Sequence, residues 1–264
     1  MNYLEVEIGK NTWLIPDFIS NYKTNTPMDV VPSFEVARRK PPIKDHSEKY
    51  FIDLNVKKEM FKDKIVVDMC SGAEVLLDEI AEVAKKVIRV DTEYDNNSKI
   101  ERILSNSKFP NKYEFNSSSA FSTNLPDNTA DIVIEDWGLF YYFKSIIFPK
   151  PFDTETSRGI ENIFFDEIYN GTVVDTRQDR IKQGIHSFLK SVDEKIRITK
   201  NNGTIIMGPH IDYPAIRLYN EILKPSLDNF VNQGLIKLDD KLVPSIIGYS
   251  PYDKIIENIK ITKN

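Results

Sequence analysis

Two aspartates, Asp68 and Asp91, stand at the ends of two short apolar runs and are the first candidates for chemistry in this chain. The runs cover residues 65–67 and 87–90, and apolar, β-branched runs of this length are typical of strands buried on both faces. Ligands bind outside the carboxyl ends of parallel strands, where a carboxylate after the second strand can accept hydrogen bonds from a ribose diol. The pair therefore predicts a site for a ribose-bearing ligand.

The segment between the two acids predicts the elements that would position them. Ser71 and Gly72 follow the first run and favour a tight turn, and the lack of a Cβ at Gly72 lets a ligand approach the backbone closely. Residues 73–86 then carry apolar side chains at the spacing of one helical face. Strand, turn, helix and strand in this order make one βαβ unit of the usual ~30 residues. Beyond this unit, we expect a helix over residues 97–107 and short strands over residues 112–115, 131–134 and 204–207.

This unit resembles motif I and the acid after strand 2 of the class I S-adenosylmethionine-dependent methyltransferases. The residues that carry the resemblance are VVDMCSGAE, residues 66–74, and VIRVDTE, residues 87–93. The family commonly has a glycine-rich turn, G-x-G-x-G, of which this chain keeps the middle glycine, Gly72. Cys70 stands in the first glycine position and Glu74 in the last.

Two later segments extend the resemblance. Residues 125–134, LPDNTADIVI, resemble the family's loop into strand 4, and residues 189–207, ending in NNGTIIM, resemble its helix, glycine turn and strand 5. These features follow the family's order and together cover about residues 64–209. The resemblance implies an α/β fold with a doubly wound, mostly parallel, seven-stranded-type sheet and helices on both faces. In the family, two antiparallel strands close this sheet.

The resemblance also implies a cofactor, S-adenosylmethionine, with S-adenosylhomocysteine as its product. In the family the acid after strand 2 takes the ribose hydroxyls, which indicates Asp91, whereas the motif I acid organises the glycine loop and the methionyl end, which indicates Asp68. A strand-end acid can also simply cap the following helix. The residues expected at the cofactor are Asp68, Cys70, Ser71, Gly72, Asp91, Thr92, Ser119, Ala120, Asp136 and Trp137.

Three residues are candidates for work on the methyl acceptor: Asp136, Tyr141 and His210. Asp136 follows strand 4. An acid at this position can orient the acceptor or take its proton as a general base, and the alternative is a purely structural role as a cap at the end of the strand. His210 is the histidine predicted at the carboxyl end of a strand, which makes it the best base near neutral pH, although a lone histidine is usually structural. Tyr141 and Trp137 either stack on an acceptor or pack within the protein.

Composition limits the class of protein. Among 264 residues, 35 basic and 40 acidic side chains give a formal net charge of -5, which does not suggest nucleic acid as a partner. The single cysteine, Cys70, permits no internal disulfide and is expected to pack as a small apolar residue. No stretch approaches the ~18 apolar residues of a membrane span, and we expect a cytoplasmic protein without metal.

The predicted organisation is an N-terminal arm or cap, residues 1–55, followed by a Rossmann-like methyltransferase domain, residues 56–264. An aromatic-rich insertion after strand 4, residues 139–180, is expected to form a lid over the substrate. We expect methyl transfer to an oxygen or nitrogen atom of a small-molecule acceptor. The alternative is a non-catalytic domain of this fold that serves as a binding or regulatory subunit, because the glycine motif and the acid expected at Ser119 are incomplete.

Overall fold

The computed structural model describes residues 3–16, 44–71, 75–95, 97–136, 175–208, 218–244 and 254–264. Its strands are β1 (Tyr3–Ile8), β2 (Asn11–Pro16), β3 (Lys44–Asp45), β4 (Ile65–Met69), β5 (Val75–Leu76), β6 (Lys86–Val90), β7 (Tyr113–Asn116), β8 (Ala130–Asp136), β9 (Thr199–Gly208), β10 (Ile236–Pro244) and β11 (Lys254–Lys263). The helices are α1 (Ser47–Asp53), α2 (Asp78–Val83), α3 (Asn97–Asn106), α4 (Asp175–Ile198) and α5 (Lys224–Asn232). Short 3₁₀ segments cover Lys58–Phe61, Thr92–Asp95 and Pro110–Lys112, and a π-helical turn, Leu218–Leu223, leads into α5.

Seven strands form the central sheet in the order β10-β11-β9-β8-β4-β6-β7. Strands β7, β6, β4, β8 and β9 are mutually parallel, whereas β11 runs antiparallel to both β9 and β10. The chain moves outward from β4 through β6 to β7 and then returns to β8 on the other side of β4, so the strand order reverses between β4 and β8. The predicted doubly wound, mostly parallel seven-stranded sheet is confirmed.

Alternate side chains of the sheet enter two apolar cores on opposite faces, as the period of two along a strand requires. Val67 and Met69 of β4 point to the core beneath β2, α4 and α5, which we call the hairpin face. Val66 of β4 points to the core beneath α1 and α2, which we call the α1 face. Both faces are covered by helices, which is why these strands carry continuous apolar runs.

The helix predicted over residues 73–86 is shorter and begins later, at α2. Val75–Leu76 is instead strand β5, which pairs in parallel with β3. Side chains near β3 then start the helix: Asp45 Oδ1 accepts a hydrogen bond from the Asp78 amide at 3.2 Å, and Ser47 Oγ accepts one from the Glu79 amide at 3.1 Å. The prediction missed this pairing because the spacing of apolar residues cannot show that a segment distant in sequence, β3, pairs with residues 75 and 76.

The other predicted elements are found, with shifted bounds. The strands expected over residues 87–90, 112–115 and 131–134 are β6, β7 and β8, and the helix expected over residues 97–107 is α3. Strand β9 extends well beyond the predicted 204–207, and α4 begins at Asp175, inside the segment expected to be a lid. The rest of that lid, residues 139–174, lies outside the described residues.

Within the segment expected to be an N-terminal arm, β1 and β2 form a hairpin that packs against α4 and α5. Asp193 of α4 receives hydrogen bonds on Oδ1 from Asn11 Nδ2 at 2.6 Å and from Trp13 Nε1 at 3.2 Å. The Trp13 ring meets Phe230 of α5 edge-on, with centroids 5.0 Å apart. Burial raises the pKa of the Asp193 carboxyl above its ordinary value. Among the described helices, none combines the length and the apolar character that crossing a membrane requires.

Candidate functional site

The carboxyl ends of the parallel strands meet at one edge of the sheet, and the strand order reverses there between β4 and β8. This edge is where open α/β sheets bind ligands. Met69 and Val90, which end β4 and β6, are paired in register, and Asp91 follows directly. Asp91 is half-buried, and its amide donates to the Asn116 carbonyl at the end of β7, at 3.2 Å. The structure thus places Asp91 where the sequence predicts it.

Asp68 lies within β4 rather than after it, and its side chain is fully buried on the α1 face. Its Oδ1 accepts a hydrogen bond from the Tyr50 hydroxyl of α1 at 3.2 Å. Its Oδ2 lies 3.5 Å from Nε of Arg89, whose side chain is also fully buried. The described contacts of Asp68 are therefore with protein groups beneath the edge, and not with the open rim where Asp91 stands.

Sequence reasoning missed Arg89, the basic residue at the centre of this arrangement. Its Nη2 donates to the Ser71 carbonyl at 2.6 Å, and its guanidinium carbon lies 5.8 Å from the centroid of the Tyr94 ring. Ser71 Oγ and the Tyr94 hydroxyl are also hydrogen-bonded, at 2.7 Å. A signal was available, because an arginine interrupts the apolar run VIRV of a strand expected to be buried on both faces.

The turn after β4 begins at Cys70, which has φ of 56°, in the left-handed region that glycine adopts most easily. Cys70 occupies the first glycine position of the motif that the sequence resembles, so the structure shows why glycine suits that place. Burial raises the pKa of the Cys70 thiol well above its ordinary value, and the Glu135 carboxylate adds to the effect. The thiol therefore stays protonated at neutral pH and packs against the hairpin-face core.

A second buried ion pair lies at the same edge on the hairpin face. Glu135, near the end of β8, places Oε2 2.6 Å from Nζ of Lys195 in α4, and the two side chains are 3% and 0% exposed. Lys195 Nζ also donates to Ser191 Oγ at 2.7 Å. Among the described residues, the central strands thus carry one buried ion pair on each face, just below the edge that faces a ligand.

The loops after β6 and β7 hold the remaining predicted cofactor residues. Thr92 opens the 3₁₀ segment that follows Asp91 and is half-buried. Ser119 Oγ accepts a hydrogen bond from the Phe121 amide at 3.2 Å, so its hydroxyl shapes its own turn. Ala120 is buried in the hairpin-face core. Of these three, Thr92 lies nearest in sequence to the acid expected to bind ribose.

Several predicted site residues are beyond what the structure describes. Gly72, Trp137, Tyr141 and His210 lie outside the described residues, and for Asp136 only the backbone is described. That backbone ends β8 and pairs in register with Gly208, which ends β9. The assignments of Asp136, Tyr141 and His210 to acceptor chemistry therefore stay predictions.

Comparison with solved structures returns methyltransferases. The chain is similar to N-methyltransferase NodS from Bradyrhizobium japonicum WM9 in complex with S-adenosyl-l-homocysteine, with a TM-score of 0.46, 10% identity, and coverage of 82% of this chain and 86% of that chain. It is also similar to a putative S-adenosylmethionine dependent methyltransferase from Listeria monocytogenes, with a TM-score of 0.46, 10% identity, and coverage of 83% of this chain and 99% of that chain. A third similar structure is an rRNA methylase from Streptococcus thermophilus, with a TM-score of 0.40, 15% identity, and coverage of 86% of this chain and 99% of that chain. No protein-family model and no curated protein sequence matches the chain.

These likenesses are remote, whereas the sheet itself identifies the fold. In this sheet β4 lies between β6 and β8, and β9 lies next to β8, so the segments that carry the resemblance are neighbouring parallel strands. Strands β11 and β10 are the two antiparallel strands expected to close the sheet, which the sequence alone did not locate firmly. The chain therefore has the fold of the class I S-adenosylmethionine-dependent methyltransferases.

Proposed function

We propose that this chain is an S-adenosylmethionine-dependent methyltransferase that moves a methyl group to an oxygen or nitrogen atom of a small-molecule acceptor. The observation that carries the proposal is the half-buried Asp91 carboxylate, which directly follows β6 at the ligand-binding edge. Cys70 and Ser71, which start the turn after β4, lie alongside because β4 and β6 are neighbours in register.

The residues at this edge fit the cofactor. A carboxylate accepts hydrogen bonds from both hydroxyls of a ribose, which is the role proposed for Asp91. Backbone of the turn after β4 and Thr92 complete the part of the binding surface that the described residues supply. The bound cofactor supplies a methyl group activated on a sulfonium, and the protein's own residues supply alignment and the surrounding field. Asp136, Tyr141 and His210 are proposed to orient the acceptor and to remove its proton.

A small acceptor is proposed over RNA on the basis of charge. Similarity to a protein described as an rRNA methylase makes RNA the competing acceptor. Proteins that bind RNA or DNA neutralise phosphates with clustered lysines and arginines, whereas this chain has an excess of five acidic groups. The single cysteine, which permits no internal disulfide, supports a cytoplasmic location.

Two observations favour a second candidate, a non-catalytic binding or regulatory domain of the same fold. The motif I acid, Asp68, is engaged with Arg89 and Tyr50, and Cys70 replaces the first glycine of the turn. Both features differ from an open glycine-rich loop with an accessible acid. If such a domain has lost its cofactor, the wild-type chain will bind neither S-adenosylmethionine nor S-adenosylhomocysteine.

Titration calorimetry with S-adenosylhomocysteine separates the two candidates and tests Asp91. We expect wild-type protein to bind and Asp91→Ala to lose about 1.5–3 kcal/mol of binding free energy, the range for hydrogen bonds to a charged group. Glu101→Ala, which removes an exposed acid from α3, should bind like the wild type. Unchanged affinity in folded Asp91→Ala would remove the ribose assignment, and no binding by the wild type would favour the non-catalytic domain.

The class of acceptor is tested with cofactor that carries a labelled methyl group. Purified protein is incubated with total cellular RNA in one reaction and with a small-molecule extract in another. Label in the small-molecule fraction supports the proposal, and label in RNA alone overturns the choice of acceptor.

A further inference from the structure

We propose that Arg89 is a positioning residue for the ligand turn, which we define as Cys70 and Ser71, and that Asp68 supports this role by pairing with Arg89. The inference rests on the proposed function, since it concerns the same ligand-binding edge. It assigns the buried basic side chain of β6 the task of holding the turn in the conformation that receives the ligand.

Arg89 connects Asp68 to the turn with one planar side chain. Nε faces Asp68 Oδ2 at 3.5 Å, while Nη2 donates to the Ser71 carbonyl at 2.6 Å. Burying a guanidinium and a carboxylate together is expensive, and an apolar pair of similar volume is often as stable. A role in setting the conformation of the turn explains why this strand carries the charge.

Ser71 is held in three directions. Its amide donates to the Val90 carbonyl at 3.2 Å, its carbonyl accepts from Arg89, and its hydroxyl is bonded to the Tyr94 hydroxyl at 2.7 Å. The Tyr94 amide in turn donates to the Asp91 carbonyl at 3.3 Å. One network therefore fixes the ligand turn relative to Asp91, the residue proposed to hold the ribose.

The backbone conformation of Cys70 explains why the ligand turn needs hydrogen bonds that hold it in place. A residue with a side chain at φ of 56° is strained, and a strained conformation persists only where its surroundings hold it in place. A glycine at this position would adopt the conformation at little cost. Arg89 donates a hydrogen bond to Ser71, the residue that follows Cys70. This bond stabilises a turn conformation that a glycine at position 70 would adopt without such support.

A lysine at position 89 cannot contact Asp68 and Ser71 together as arginine does. The substitution Arg89→Lys, which keeps the positive charge, is therefore a conservative test. A guanidinium offers several donors in a fixed fork and reaches Asp68 and Ser71 together, whereas an ammonium on a flexible stem is a single point charge. If Arg89→Lys lowers the fraction of molecules with a competent turn, the apparent dissociation constant rises by the same factor. Losing one hydrogen bond from a charged donor corresponds to about a tenfold change or more.

The experiment measures S-adenosylhomocysteine affinity and melting temperature for Arg89→Lys, for Cys70→Gly with Arg89→Lys, and for Leu227→Ala. Leu227 is fully buried in α5 on the hairpin face, so its truncation lowers stability without touching the network. We expect Arg89→Lys to bind about tenfold or more weakly. The added Cys70→Gly change should restore most of the lost affinity, because glycine relaxes the turn, and Leu227→Ala should bind like the wild type.

Two results would overturn the proposal. One is an Arg89→Lys dissociation constant within about threefold of the wild type, a difference too small for a lost charged hydrogen bond. The other is equal weakening in Leu227→Ala at a matched loss of melting temperature, which would assign Arg89 to stability alone.

If the wild type does not bind the cofactor product, the proposed function fails, and hydrogen exchange at the Ser71 amide decides the positioning role by itself. Faster exchange in Arg89→Lys than in Leu227→Ala supports that role, and equal exchange rejects it.

Discussion

At the scale of single residues, Cys70 shows how its surroundings decide what a functional group can do. A lone cysteine beside a ligand site suggests a reactive thiol, yet reactive cysteines need an environment that lowers the thiol pKa. Around Cys70 the opposite holds, because burial and the nearby Glu135 carboxylate both disfavour the thiolate. The side chain is thus a packing residue in a position where the backbone would prefer glycine.

The prediction for Cys70 concerns its rate of alkylation. Because burial raises the pKa of the Cys70 thiol well above the ordinary value of 9.0, native protein at pH 8 should react with iodoacetamide more slowly than the unfolded chain. The native rate should still be rising with pH above 9, where the unfolded thiol is already mostly ionised. The unfolded chain in guanidinium is the control, and equal rates in the two states would contradict the raised pKa.

At the scale of elements, the turn of the β1–β2 hairpin packs closely against the Asp193 side chain of α4. Gly9, in the hairpin turn, has φ of 62°, and a Cβ built there would lie 2.1 Å from Asp193 Oδ2. The same carboxylate receives hydrogen bonds from Asn11 and Trp13. Glycine at this turn is therefore required both by the backbone conformation and by the space that Asp193 takes.

Substituting two glycines separates these requirements. Gly9→Ala and Gly234→Ala both place a side chain at positive φ, which costs about 1–2 kcal/mol. Nothing lies within 4 Å of a Cβ at Gly234, so Gly9→Ala should cost about 1–3 kcal/mol more, the usual range for overpacking. Urea unfolding measures both. In an Asp193→Ala background the excess cost of Gly9→Ala should disappear, and its persistence would show that the contact does not limit this turn.

At the scale of the whole molecule, the sheet carries a buried ion pair on each face just below the ligand edge. Asp68 with Arg89 joins β4 to β6 on the α1 face, and Glu135 with Lys195 joins β8 to α4 on the hairpin face. Breaking a buried pair from one side is far more costly than replacing both partners. The pair on the α1 face therefore ties two neighbouring strands together, and the pair on the hairpin face ties the sheet to α4.

Lys195→Met tests the pair on the hairpin face. It leaves the Glu135 carboxylate buried without Lys195 and should lower the free energy of unfolding by about 3–5 kcal/mol. Adding Glu135→Gln should recover most of this loss, since no buried charge then remains at the pair. Lys200→Met is the matched control, because Lys200 pairs with Asp131 at a half-exposed site, where such a pair contributes about 0–1 kcal/mol. Equal losses in the two lysine variants on chemical denaturation would contradict a special cost at Lys195.

Much of the fold and part of the site follow from local patterns in the sequence. Apolar runs and helical spacing predict β4, β6, β8 and α3 near their observed bounds. The position of Asp91 directly after a run of buried residues places a carboxylate at the ligand edge without any tertiary information. These predictions succeed because the period of side chains along a strand or helix is a local property.

The partners of the polar residues depend on how distant segments of the chain pack together. Asp68 was expected at the edge, yet it lies inside β4 and pairs with Arg89, because β6 happens to place a basic residue opposite it in register. In the same way, β5 replaces the start of a predicted helix because β3 pairs with it. Such contacts join segments that are distant in sequence, and no local pattern carries them. Local patterns therefore show which segments become strands and that Asp91 follows one of them, whereas packing decides that Asp91 remains at the open edge and that Asp68 is buried.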